Sequence, residues 1–423
     1  MGGLPPERSA TVLICPTVMT HPVRLDDAKS VAAKLGIDDV VIDPEPDGPP
    51  SPLRTSALAW KSTSAKATHR LVVQDDIEAP PNFLELARIA IERRPRAAIS
   101  YYTSWDSRNG SAVRLAALTG AGLVRAVRNE WTPSVALVLP AALGHEFARY
   151  AEKATGFNFN DDTCMRAFLT AADYPSYLTV PNIVEHTGDL TISGKQGHGM
   201  RKAACYIVGQ LASSSLTGGH IMEGIDFLPH FASDQGRAVV DITDDGISSS
   251  EITGFREVRT LRWRKAIERL DIDEDFILTS YGTFIATPQG HLVVDECGTR
   301  SAFLRELWAH AFLVGSQAGR MAAANAALVV DMSVGSTVPT TRVEAVSNLD
   351  IANPDIAVSA IQSIAIGSVV RTERALLPPS IRTALETLCW AAIRTAYPTL
   401  AAASFNSESR NARQLSVAGD HNQ

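Results

Sequence analysis

Apolar and polar positions alternate in two different ways along this chain. From residue 11 to about 205, short β-branched apolar runs are separated by stretches with apolar residues three and four apart. That is the pattern of strands alternating with helices in a layered α/β sheet. Thr11-Val12-Leu13-Ile14-Cys15 predicts a buried strand ending in the turn-prone Pro16-Thr17. Asp26 to Leu35 predicts a helix with Leu25, Ala28, Ala32 and Leu35 on one face, acids in its first turn and Gly36 as its C-cap. Val40-Val41-Ile42 reads as a second strand, the Pro-rich loop Asp43 to Pro52 leads into a helix through Trp60, and Arg70 to Gln74 reads as a third strand. Further on, Pro81 to Arg94 predicts a helix, Ala98 to Tyr102 and Val135 to Leu139 predict strands, and Asp161 to Ala171 predicts a helix.

Near Ser213-Ser214-Ser215 and Gly218-Gly219 the chain turns small and polar, which places a domain boundary around 210 to 225. Beyond it the helical period dominates. An amphipathic helix is expected from Phe255 to Leu270, and a hairpin from Tyr281 to Ala286 and Leu292 to Cys297 across Thr287-Pro288-Gln289-Gly290. Long Ala-rich helices are expected at Ala302 to Met332, about 354 to 371 and 380 to 396, with Trp308, Phe312 and Leu313 for a helix-packing core or a homo-oligomer contact. Residues 225–402 thus read as an α-rich α+β domain of unknown role, and 403–423 as a disordered tail.

Composition narrows the function classes. The 423 residues carry 39 Lys plus Arg against 46 Asp plus Glu, a net charge of −7 without a basic block, so nucleic acid is not an expected partner. The apolar stretches 309–330 and 356–370 are broken by His310, Gln317 and Arg320, or by Ser359, Gln362 and Ser363, so no transmembrane segment is expected. The start, Met1 to Glu7, shows neither a secretion nor an acylation pattern. The five cysteines, at 15, 164, 205, 297 and 389, lie far apart, the pattern of reduced thiols in a cytoplasmic protein.

In an open α/β sheet, ligands sit beyond the carboxyl ends of the strands. Three stretches carry polar residues there. Pro16 to Arg24, with Thr17, Met19, His21 and Arg24, leads into a helix and suits a nucleotide or another anion; a solvated loop is the plain alternative. Asp75-Asp76 directly follows an apolar strand, where two carboxylates are costly unless a divalent cation neutralises them; a helix N-cap ahead of Pro80-Pro81 explains them equally. Asn158 to Asp162 opens a helix, with N-capping as the alternative, and His186 follows an extended apolar run.

Taken in order, Gln74-Asp75-Asp76, Asp161-Asp162 and Val180-Pro181-Asn182 through His186-Thr187-Gly188-Asp189 with Ser193-Gly194 resemble the GT-A glycosyltransferases, above all bacterial members with an acidic Gln/Glu-Asp-Asp motif. The resemblance covers about residues 10–205 and implies a Rossmann-like nucleotide-diphospho-sugar transferase domain over 1–210. It implies Mn2+ or Mg2+ at Asp76 and His186, and a nucleotide diphosphate sugar met by Thr17, Met19, His21, Arg24, Asp43, Arg54 and Asp75. It further implies Asp162 or Asp161 as catalytic base in an inverting transfer to an unidentified acceptor. Gln74 stands where the family's first acid usually is. The stretch from Thr119-Gly120 to Trp131 resembles the mobile loop bordering the acceptor, and for Lys195, Gln196, His198, Arg201 and Lys202 two readings stand side by side, closure over the diphosphate and a solvated basic turn. Two rivals remain open: a non-catalytic GT-A-like binding protein, and a nucleotidyltransferase, for which Pro16 to Arg24 lacks a glycine-rich phosphate loop.

Overall fold

A computed structural model describes residues 11–49, 51–62, 64–128, 130–154, 160–188, 200–217, 219–243, 258–333 and 354–397. The expectations for residues 1–7, 158–159, 189–198, 255–256 and 403–423 lie outside these residues.

In chain order the first elements are β1 (Ile14–Thr20), α1 (Leu25–Leu35), β2 (Val40–Ile42), α2 (Pro52–Lys61), β3 (His69–Gln74), β4 (Ile77–Glu78), α3 (Phe83–Arg93), β5 (Ala98–Ser100), α4 (Arg108–Leu118) and β6 (Ala121–Arg125). There follow β7 (Ala136–Pro140), α5 (Ala141–Lys153), α6 (Asp161–Ala171), β8 (Ser176–Thr179), β9 (Glu185–His186), α7 (Ser214–Thr217), β10 (His220–Met222), β11 (Phe227–Ala232), β12 (Arg237–Thr243) and β13 (Val258–Arg262). The last are helices: α8 (Trp263–Ile267), α9 (Glu274–Ile285), α10 (Pro288–Cys297), α11 (Ser301–Ser333), α12 (Pro354–Gly367) and α13 (379–397). The chain is mixed α/β with a large, mostly parallel central sheet, compatible with a Rossmann-like layered fold.

Two compact units divide the chain, and they are interleaved. The first holds 1–103, 125–196 and 208–218; the second holds 104–124, 197–207 and 219–423. In the first, six strands run in the order β8-β5-β7-β3-β1-β2, and β7 alone among them is antiparallel to its neighbours. Register pairs Met19 with Gln74, Thr20 with Ile42, Val73 with Ala136 and Ser100 with Leu178. Gly36 ends α1 at φ +66°, the left-handed turn that only a residue without Cβ adopts cheaply. Trp60 of α2 meets Phe147 of α5 edge-on, and Phe147 meets Phe168 of α6, so three helices close over Val72, Leu137 and Leu139 in one core.

The second unit combines helices with the antiparallel sheet β11-β12-β13 and the parallel pair β6 and β10, of which Arg125 alone belongs to the first unit. Arg114 of α4, buried, donates to the Ser363 hydroxyl and carbonyl of α12. Asp106 receives Arg371 and the wholly buried Arg374, which hold its carboxyl down at about 2 against the upward push of burial.

Three element expectations are corrected here. The expected helix from Phe255 to Leu270 is, over the described residues, the strand β13 paired with β12, followed by the short α8. Its exposed Arg259 and Arg262 mimic the polar face of a helix, although they sit on a strand half open to solvent. The expected hairpin is a pair of helices: Thr287-Pro288-Gln289-Gly290 is the N-cap of α10, the Thr287 hydroxyl accepting from Gly290 N–H at 3.0 Å, with Pro288 at N1. The expected loop from Thr119 to Trp131 contains the strand β6.

Candidate functional site

Parallel β1, β2, β3, β5 and β8 end at one edge of the sheet, where antiparallel β7 begins. Asp75 and Asp76 leave β3 at this edge, and each is fixed by residues from other elements. Asp75, buried, accepts from the Thr20 hydroxyl at the end of β1 and from Arg24 Nη1 at 3.3 Å. Asp76 accepts from the same Arg24 Nη1 at 2.7 Å, and its Oδ2 lies 3.3 Å from His186 Nε2. One guanidinium therefore spans both carboxylates.

His186 is brought there by a two-residue ribbon: β9 pairs antiparallel with β4, Ile77 opposite His186, while Thr187 N–H donates to the Asp76 carbonyl at 2.9 Å. The ring of Tyr102 packs 6.0 Å from the buried imidazole. Gly188 lies so close to Asp76 that a Cβ there would stand 2.4 Å from Oδ2. Any side chain at 188 would displace the carboxylate.

Charge follows contact. Burial pushes Asp75 above its usual range, and the Thr20 hydroxyl and Arg24 only partly offset this. Burial also pushes Asp76 up, but hydrogen bonding and charge from His186 and Arg24 outweigh it and hold the group well below the usual carboxylate range. Arg24 loses solvent, yet its two carboxylates raise its pKa further. Asp76 Oδ1 is buried and accepts no hydrogen bond.

The second acidic pair reaches the same edge through β7. Gln74 N–H donates to the Val135 carbonyl, Thr132 N–H to the Asp162 carbonyl, and Ser134 hydrogen-bonds the Asp161 side chain. Asp161 is buried, its Oδ2 has no partner, and burial together with the neighbouring Asp162 charge pushes it up to about 6. Asp162 is half-buried and accepts from Thr163 N–H at 2.6 Å, so the two acids have different surroundings.

The remaining expected residues fall elsewhere. Thr17 is fully buried inside β1 and donates to the Asp39 carbonyl, and Met19 packs into the core, so neither faces the edge. Asp43 follows β2 and takes a two-pronged bond from Arg54, Nε and Nη2 each at 2.8 Å, which braces the loop between them. Burial raises the Asp43 carboxyl, and Arg54 and the Glu45 amide more than offset it. His21 caps the short turn Pro22–Arg24 and lies 3.3 Å from the Pro46 carbonyl through Nε2. Arg201 and Lys202 belong to the second unit.

Sequence reading missed Thr20, Tyr102 and Ser134, and named Gly188 only within the quoted motif, without its contact to Asp76. Each acts through a partner 27 to 112 residues away, since Ser134 meets Asp161 and Gly188 meets Asp76, and no local pattern reports such pairs. Among the described residues no helix is long and apolar enough to cross a membrane, and no group of three His, Cys, Asp or Glu side chains is arranged to hold a metal ion. Compared with known proteins, no family model matches the chain, and no curated protein matches it either.

Proposed function

We propose that this chain is a metal-dependent GT-A-like glycosyltransferase, moving a sugar from a nucleotide diphosphate sugar to an acceptor hydroxyl with inversion. One observation carries the reading: a single sheet edge collects a buried acid beside a largely buried one, an arginine, a histidine and a further buried acid with a raised pKa. Groups whose ionisation is this perturbed cluster at functional sites.

Asp76 and His186 are the donors suited to a divalent cation, because Asp76 Oδ1 is a buried hard oxygen without a partner and His186 Nε2 faces the same carboxylate. With two protein donors, the other positions fall to diphosphate oxygens and water. The cation, when bound, neutralises charge on the departing diphosphate. The protein's own part is to place the acceptor and take its proton. Asp161 is the base we assign in preference to Asp162. It is the buried one, and at about 6 it is ionised at neutral pH yet basic enough to accept a proton. As the acceptor oxygen bonds to the anomeric carbon, its proton passes to an Asp161 oxygen, and the nucleoside diphosphate leaves with the electron pair of the broken C–O bond.

Calorimetric titration with UDP, GDP and their sugar conjugates, with manganese and again with chelator, tests this. Metal-dependent binding of one nucleotide, lost in Asp76→Asn, is the expected result. Binding without turnover favours the non-catalytic rival, for which Gln74 and the neutralised acid pair speak. No binding of any of them overturns the donor site.

A further inference from the structure

Resting on that reading, we infer that Arg24 is a placeholder cation: it neutralises Asp75 and Asp76 while the site has no donor, and transfers to the diphosphate when donor and divalent metal arrive together. Three observations lead there. Nη1 of one guanidinium lies 2.7 Å from Asp76, the carboxylate that the metal reading needs, and 3.3 Å from its neighbour Asp75. The Arg24 side chain remains 17% exposed, and it springs from the three-residue turn that leads into α1, beside the exposed Val23. Asp76 Oδ1, itself buried on a side chain 12% exposed, lacks the partner that its neighbour Oδ2 has in Arg24 and His186.

The exchange conserves charge pairing. A divalent cation approaching Asp76 alone meets a guanidinium already seated on the same carboxylate, so like charges crowd and the cation binds weakly. A diphosphate alone meets two carboxylates. When both arrive, the cation takes Asp76 and screens the charge of Asp75 beside it, and the guanidinium, whose planar donors suit phosphate oxygens, takes the anion. Metal and nucleotide should therefore each raise the other's affinity by the same factor. Arg24 is a positioning residue for the cation in this scheme, and it becomes a donor-binding residue once the diphosphate is in place.

The probes are manganese alone and manganese with UDP or GDP, followed by calorimetry and by the electron paramagnetic resonance signal of free Mn2+. In the parent protein, the nucleotide is expected to tighten manganese binding at least tenfold. Arg24→Gln should bind manganese alone at least tenfold more tightly than the parent, and the gain from nucleotide should fall below threefold. Equal manganese affinity in parent and variant, or an unchanged nucleotide gain, overturns the exchange while leaving the donor site standing. No manganese binding to either protein, with or without nucleotide, overturns the metal-dependent reading as well. If Arg24→Gln fails to fold, Arg24→Lys carries the test. A point charge in place of a planar fork should cut the nucleotide gain several-fold, and an undiminished gain refutes the idea.

Discussion

Two carboxylates one residue apart, Asp161 and Asp162, show how position decides chemistry. Asp161 is ordinary in sequence and unusual in place: buried beside a second acid, it is pushed up to about 6. Its folded pKa lies above its unfolded one, so it favours the folded state fully below about pH 4, and that contribution is lost as pH rises through about 6. Asp161→Asn should therefore flatten the stability profile between about pH 4 and 6, with a difference on the order of 2–3 kcal/mol in slope-integrated stability, read by urea melts across pH. If Asp161 is the base, the same substitution lowers kcat at least a hundredfold, and parent activity rises with pH through about 6. At Gly188 the argument is steric. Gly188→Ala would force Asp76 aside, with an expected loss of roughly 1–3 kcal/mol in melts and of metal-dependent nucleotide binding.

At the scale of elements, legibility follows locality. The helix Leu25–Leu35 and its cap at Gly36 are written in adjacent residues, as are the apolar strand His69–Gln74 and the acids behind it. Thr287-Pro288-Gln289-Gly290 carries two local meanings, turn or cap, and the choice depends on what the flanking segments pack against: Phe284 stacks on Trp308 of α11 at 5.2 Å. Removing that cap with Thr287→Ala should cost about 1 kcal/mol in a denaturant titration; no loss would mean that the helix start is held by packing alone. The candidate site was legible where acids follow a strand directly, at Asp75-Asp76. It was not legible at Arg24, whose charge reads as an invitation to an anion but which meets two side chains more than 50 residues on.

At the scale of the molecule, the chain crosses between its two units several times, the last time between 218 and 219. A fragment ending there still contains 104–124 and 197–207, but without α12. The buried Arg114 would lose Ser363, and the Tyr206 backbone would lose both its bonds to the Ser359 hydroxyl. Arg114 would keep only the Trp105 carbonyl, and the apolar surface of α4 that α12, β11 and α11 cover would open to water. The 11–218 fragment should thus elute as aggregate or exchange its α4 amides without protection, whereas a compact monomer with protected α4 amides would show that segment to be self-sufficient. The same bond from Arg114 to Ser363 spans 249 residues. At synthesis rates of about 5–20 residues per second, roughly 12 to 50 s separate the two ends of that contact as they leave the ribosome. Throughout that interval Arg114 and the face of α4 that α12 covers wait for their last partner, after β11 and α11, which cover the rest, have already emerged.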